Sequence, residues 1–255
     1  MSKSRLALIT GSAKGIGVQI ATLLAKKGYN IVINYRSSKK EALMLANYLK
    51  ETYQVATLAI QADVSLKEDV GRMFKMIKEK LGDVDILIHN AGPFIREDKT
   101  IHDYNYQEWD YLIKGNLNSY FYLLKEVLPG MRKSKWGRIV VLGFNGGSNN
   151  APWKYRGVFA AAKSAVISLT KTLALEERDY GITANVVSPG DIKSEFKELT
   201  IKEVENPFKM RNATGEDIGR VIAFLCEEDS DYLSGAVIDV SGGLDILMKK
   251  TSSER

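Results

Sequence analysis

The chain has 255 residues, 45% of them hydrophobic and 26% charged, so one α/β domain can bury an ample core without disulfides or metal. The formal charge of +5 is dispersed among mixed Lys, Arg, Asp and Glu, with no sustained basic block to track a phosphodiester backbone, and nucleic acid is excluded as a main partner. Cys226 is the only cysteine, which excludes an intrachain disulfide and an all-Cys metal site, and it lies in an apolar run that reads as core.

Residues 6–10 (LALIT) are a short apolar run stopped by Gly11, and an amphipathic stretch at 16–27 follows, closed by Gly28: strand, loop, helix. Strands at 30–34, 55–60 and 84–89 then alternate with helices at 39–53 and 66–81. A long helix is expected at 106–131, then a strand at 138–142, a helix at 158–180, a strand at 182–187, a helix at 215–227 and a last strand at 235–240. Each parallel return needs a crossover helix, so the pattern predicts a single-domain, doubly wound, seven-stranded parallel α/β sheet over 1–248. Loops at 92–104, 143–157 and 191–214 belong at the carboxyl ends of the strands, where such sheets bind ligands, and the polar tail 249–255 should fray. The first five residues lead straight into the first strand, leaving no room for a signal peptide, and no later apolar run reads as a bilayer span. A cytoplasmic protein without membrane contact is the expectation.

Between the first strand and helix lies Thr10-Gly11-Ser12-Ala13-Lys14-Gly15-Ile16-Gly17. Gly11 permits a tight turn, Gly15 lets main chain approach a diphosphate, and Gly17 permits close helix packing, while the helix N-terminus faces the anion. This is the expected phosphate loop of a Rossmann fold. Its spacing resembles that of the short-chain dehydrogenase/reductase family. Asp63-Val64, Asn90-Ala91-Gly92, Ser188-Pro189-Gly190 and Asp239-Val240-Ser241-Gly242-Gly243 resemble further motifs of that family in the same order, and the 3-oxoacyl-carrier-protein reductases are the nearest likeness. The resemblance implies a nicotinamide cofactor held by Gly11, Ser12, Lys14, Gly15, Ile16, Gly17, Tyr35, Arg36, Ser37, Asp63, Val64, Asn90, Ala91, Gly92, Asn116, Lys163, Pro189, Gly190, Ile192 and Ser194. No metal site is expected.

At the end of the second strand, where a carboxylate would meet the ribose 2′-hydroxyl of NAD(H), stand Asn34-Tyr35-Arg36-Ser37. Arg36 and Lys14 can instead bind a 2′-phosphate, so NADP(H) is the expected cofactor; the alternative is that both are merely solvated cations.

The resemblance also implies a catalytic Asn, Ser, Tyr and Lys. Asn116 and Lys163 match the first and last. One helical turn before Lys163, however, stands Phe159, and the strand ending at Leu142 runs into Phe144 where the family's Ser is expected. Removing a general acid costs about two to four powers of ten in rate, so ordinary carbonyl reduction should suffer severely. Tyr155, in the loop before the helix, is the candidate substitute hydroxyl, with Ser148 a second. His89 and His102 have no carboxylate at recognisable spacing and read as packing and solvent-facing residues. Phe94, Phe144, Trp153, Tyr155 and Phe159 can together line an apolar pocket. Two functions stay open: an atypical NADP(H)-dependent oxidoreductase acting on a carbonyl or enoyl group of a small or acyl substrate, and a non-catalytic NADP(H)-binding sensor or partner subunit. The family likeness implies a homo-oligomer, dimer or tetramer. Residues 191–214, with Phe196, Phe208 and Met210, are expected to cover the substrate.

Overall fold

The computed structural model describes residues 4–149, 151–205 and 211–244. Continuous apolar runs become strands buried on both faces, as a parallel sheet requires. In β1 (Leu6–Ile9), β4 (Ile86–His89) and β5 (Gly137–Leu142) every residue is buried. With β2 (Asn30–Tyr35), β3 (Thr57–Gln61), β6 (Ile182–Pro189) and β7 (Val237–Val240) they form one seven-stranded sheet, ordered β3-β2-β1-β4-β5-β6-β7, with every pairing parallel. The expected doubly wound fold is borne out. The strand order reverses between β1 and β4, which opens a crevice at their carboxyl ends.

Helices α1 (Ile16–Lys26), α2 (Lys39–Tyr53) and α7 (Gly215–Leu225) cover one face, and their apolar stripes join Ala7, Ile9, Ile31 and Ile88 in one core. On the other face, α3 (Lys67–Lys80), α4 (Tyr106–Ile113), α5 (Ser119–Ser134) and α6 (Gly157–Glu176) pack over Leu8, Leu87, Ile139 and Val141. Cys226 is fully buried, as its apolar surroundings imply.

Two helices depart from expectation. The single helix at 106–131 is instead α4, a π-helical segment Lys114–Asn118, and α5. Within this segment Asn116 donates to the Leu112 carbonyl at 2.9 Å and Ser119 to the Gly115 carbonyl at 2.7 Å. The helix expected at 158–180 ends at Glu176 and gives way to a 3₁₀ turn, Arg178–Tyr180, closed by left-handed Gly181. By length and composition α6 could cross a membrane, contrary to the reading that no apolar run could. More than half of its apolar window is nonetheless buried, because the helix packs over β6. Phe208, Met210 and the tail 249–255 lie outside the described residues.

Candidate functional site

A cavity of about 1030 Å³ opens at the carboxyl ends of the strands, running from the β1–α1 loop to the start of α6. At one end, Gly11 and Gly15 both adopt left-handed conformations, with φ of 61° and 67°, and turn the main chain toward the cavity. A Cβ on Gly17 would lie 2.6 Å from the Ser12 Cα, so only glycine lets α1 start so close to the loop. Neighbouring side chains lock this turn. Asn34 accepts from the Gly11 N–H at 3.2 Å and donates to the Ala62 carbonyl at 3.1 Å. The Thr10 hydroxyl accepts from the main chain of Asn90 and Ala91, and the Asn90 amide donates back to the carbonyls of Thr10 and Gly11.

Of the residues the sequence singles out, Gly11, Lys14, Gly15, Ile16, Arg36, Asp63, Val64, Asn90, Ala91, Gly92, Lys163, Pro189, Gly190 and Ile192 line the cavity. Ser12, Gly17, Tyr35, Ser37, Asn116, Tyr155 and Ser194 are not on its wall. Ser12 is buried and donates to the Ile9 carbonyl at 2.8 Å, and Tyr35 is buried in the core. Ser194 is exposed and accepts from Arg96 at 3.3 Å.

The two cations expected to face a phosphate have carboxylate partners within the chain. Lys14 lies 2.8 Å from Glu41, which holds the Glu41 carboxyl below its ordinary range, and Arg36 lies 3.9 Å from Asp63. Both cations are more than half exposed, so these are solvent-screened pairs of little net worth and easily exchanged for a stronger anion.

At the other end the wall is apolar. Phe94, Phe144, Trp153 and Phe159 form a ring cluster, with Phe144 stacked on Trp153 at 5.6 Å and Phe94 edge-on to Phe159 at 4.9 Å. Lys163 reaches this end from α6, its Nζ 5.8 Å from the Phe159 ring centre. It is 3% exposed and donates to the Leu142 carbonyl at 2.7 Å. Burial alone pushes its ammonium down to about 8.

Asn116 sits in the π segment behind the wall. Its amide donates to Pro93 and Leu112, while its Oδ1 is buried without a hydrogen-bond partner. That oxygen abuts the place a Gly92 Cβ would fill, and Lys163 Nζ lies 3.5 Å from the same point. His89 is buried and stacked on Tyr120 at 5.2 Å. Because Ser119 donates its hydroxyl proton to Gly115, His89 Nε2 must donate to Ser119, leaving Nδ1 unprotonated and unpaired. Burial, then the charge of Lys163, lowers the His89 pKa well below its ordinary value, and the ring is neutral. His102 is exposed in a surface turn.

Tyr155 precedes α6 in a left-handed conformation, φ 67°, rare for a residue bearing a Cβ. Its carbonyl accepts from Arg156 at 2.9 Å, and the Lys154 ammonium lies 4.9 Å from its ring. Sequence reasoning missed Gln107, Asp110, Tyr111 and Lys114, which line the cavity from α4 and its continuation. Their i, i+3, i+4, i+7 spacing marks one helix face and was the available signal.

Comparison with known proteins accords with this architecture. The family profile described as enoyl-(acyl carrier protein) reductase matches residues 11–245. The chain belongs to the short-chain dehydrogenase/reductase family. It is 42% identical to YtkK of Bacillus subtilis (strain 168), provisionally named an oxidoreductase, over 98% of this chain and 100% of that protein. It is 36% identical to the 3-oxoacyl-[acyl-carrier-protein] reductase FabG of a Staphylococcus epidermidis strain, over 96% and 99% respectively. Among solved structures, a Bacillus thuringiensis protein provisionally described as a 3-oxoacyl-reductase superposes with a TM-score of 0.88 at 45% identity, covering 96% of this chain and all of that one. Acetoin dehydrogenase YohF of Salmonella typhimurium gives 0.86 at 26% identity, covering 98% of this short-chain dehydrogenase/reductase and 99% of its own chain.

Proposed function

We propose that the chain is an NADP(H)-dependent oxidoreductase that reduces a carbonyl or activated double bond of a small or acyl substrate, drawing its proton from Lys163. What carries the reading is the continuity of one cavity from Gly15 and Arg36 to Lys163, with an aromatic wall at the Lys163 end. A dinucleotide fits these residues: the turned main chain at Gly11 and Gly15 suits a diphosphate, and Gly92 clears space against the unpaired Asn116 oxygen.

The bound reduced cofactor supplies hydride. Arg36 and Lys14, now paired with Asp63 and Glu41, would hold its 2′-phosphate. Lys163 has three N–H donors and uses one on Leu142, which leaves two for a ribose hydroxyl and the substrate. As hydride adds to carbon, the π pair moves to the carbonyl oxygen or the α-carbon, Lys163 gives it a proton, and the neutral amine regains one from solvent. By the family likeness, Phe144 and Phe159 stand where a hydroxyl pair would hold the oxygen, and a conjugated substrate needs that pair least. At the aromatic end Lys163 lines the cavity beside Phe159, whereas the Arg156 guanidinium over the Phe94 ring is not on the cavity wall. We assign the protein to the cytoplasm, supported by a sequence whose single cysteine, Cys226, is buried, and to a homo-oligomer, supported by the exposed Tyr106, Trp109 and Phe121 on α4 and α5.

A panel of 3-oxoacyl and enoyl thioesters with NADPH, followed by nicotinamide absorbance, tests this reading. Turnover that survives Tyr155→Phe and is lost in Lys163→Met supports it; loss in Tyr155→Phe would move the proton source to Tyr155. The second reading, a non-catalytic NADP(H)-binding protein, is favoured by Phe144 and Phe159, and tight binding without turnover across the panel would establish it.

A further inference from the structure

The residues expected to cover the substrate also touch the phosphate loop. Glu198 accepts from the Gly15 N–H at 2.7 Å, so a carboxylate of the chain itself rests on the N-terminal end of α1, on the donor that the dinucleotide reading gives to a diphosphate. Its main chain is held independently. Gln19 donates to the Glu198 carbonyl, Ile201 donates its N–H to Glu216 at 2.6 Å, and the Lys197 carbonyl lies against Gly215, where any side chain would collide. Only the carboxylate therefore needs to swing away, and Glu198 is exposed and has water to receive it.

Resting on that reading of the cleft, we infer that Glu198 sets cofactor affinity by competing, as an internal anion, for the diphosphate site. Like Glu41 on Lys14 and Asp63 on Arg36, it satisfies an anion-binding group before the ligand arrives. Unlike them, it belongs to the segment that follows β6, so cofactor arrival releases one tether of that segment.

The test compares the intact protein with Glu198→Ala and Glu198→Gln, titrating NADPH by nicotinamide fluorescence and recording the ligand-free thermal midpoint. Removing a competing charge at a solvent-exposed helix terminus should tighten NADPH binding by about threefold to tenfold in Glu198→Ala. Glu198→Gln, which keeps an acceptor but no charge, should gain less, and the ligand-free midpoint should fall slightly in both. Adenosine 2′-phosphate, which lacks the diphosphate, should bind all three proteins alike. Unchanged or weaker NADPH binding by Glu198→Ala, or an equal gain for adenosine 2′-phosphate, would overturn the inference while leaving the cofactor assignment standing. Failure of all three proteins to bind any nicotinamide dinucleotide would overturn both.

Discussion

The two ends of the cavity solve opposite problems. At the glycine loop the groups that would meet an anion, Lys14, Arg36 and the Gly15 N–H, already have carboxylate partners, all in solvent-accessible positions. At the Lys163 end a cation is buried among rings with a carbonyl as its hydrogen-bond partner, and nearby Asn116 Oδ1 and His89 Nδ1 have none. The first end is paired and cheap to rearrange. The second holds an unneutralised charge that burial penalises.

The largest effect expected from breaking this contrast is catalytic. Lys163→Met should lower NADPH-dependent turnover by about two to four powers of ten, and wild-type turnover should decline above pH 8 as the ammonium loses its proton. A profile flat to pH 10 would place the proton source elsewhere.

The same burial appears in stability. Lys163 titrates near 8 in the fold against an ordinary 10.5, so between those values the unfolded chain holds the extra proton and stability rises with pH. Below pH 8 the cost is fully present, and above 10.5 it is relieved. Denaturant unfolding of wild type and Lys163→Met should show their stability difference shifting by about 3 kcal/mol across that window. A constant difference would mean that the amine is better solvated than its surroundings imply.

At the opposite end, Gly17→Ala forces a Cβ into the Ser12 main chain and should cost about 1–3 kcal/mol, read as a lowered denaturation midpoint. Arg36→Ala should weaken NADPH binding by about tenfold while leaving NADH binding nearly unchanged, measured by titration. Equal losses for both cofactors would remove Arg36 from the 2′-phosphate. The smallest expected change is a gain: Phe159→Tyr places a phenol one turn from Lys163 and should raise reduction of simple ketones measurably in a steady-state assay.

Much of this was legible in sequence because it depends on local pattern. Fully buried parallel strands must be continuous apolar runs, and the turn at Gly11 to Gly17 demands glycine, so the sheet and the glycine turn could be read directly. The break at Lys114–Asn118 could not, since a π turn leaves the apolar periodicity on either side intact. Nor could the partners of the loop. Glu41 and Glu198 lie far along the chain from one another, and only the packing of α1, α2 and α7 brings both to the glycine loop. The Asn34 clamp was hidden for the same reason: its carboxamide bridges the loops that follow β1 and β3.

Trp153 gives the apolar end an optical voice. The guanidinium groups of Arg5 and Arg138 lie over the Trp136 ring, and Trp109 looks outward from α4, whereas Trp153 is stacked on Phe144 in the cavity wall. Its emission therefore responds to whatever enters beside Lys163, and a Trp153→Phe control would let occupancy be followed on a colourless compound that is never turned over.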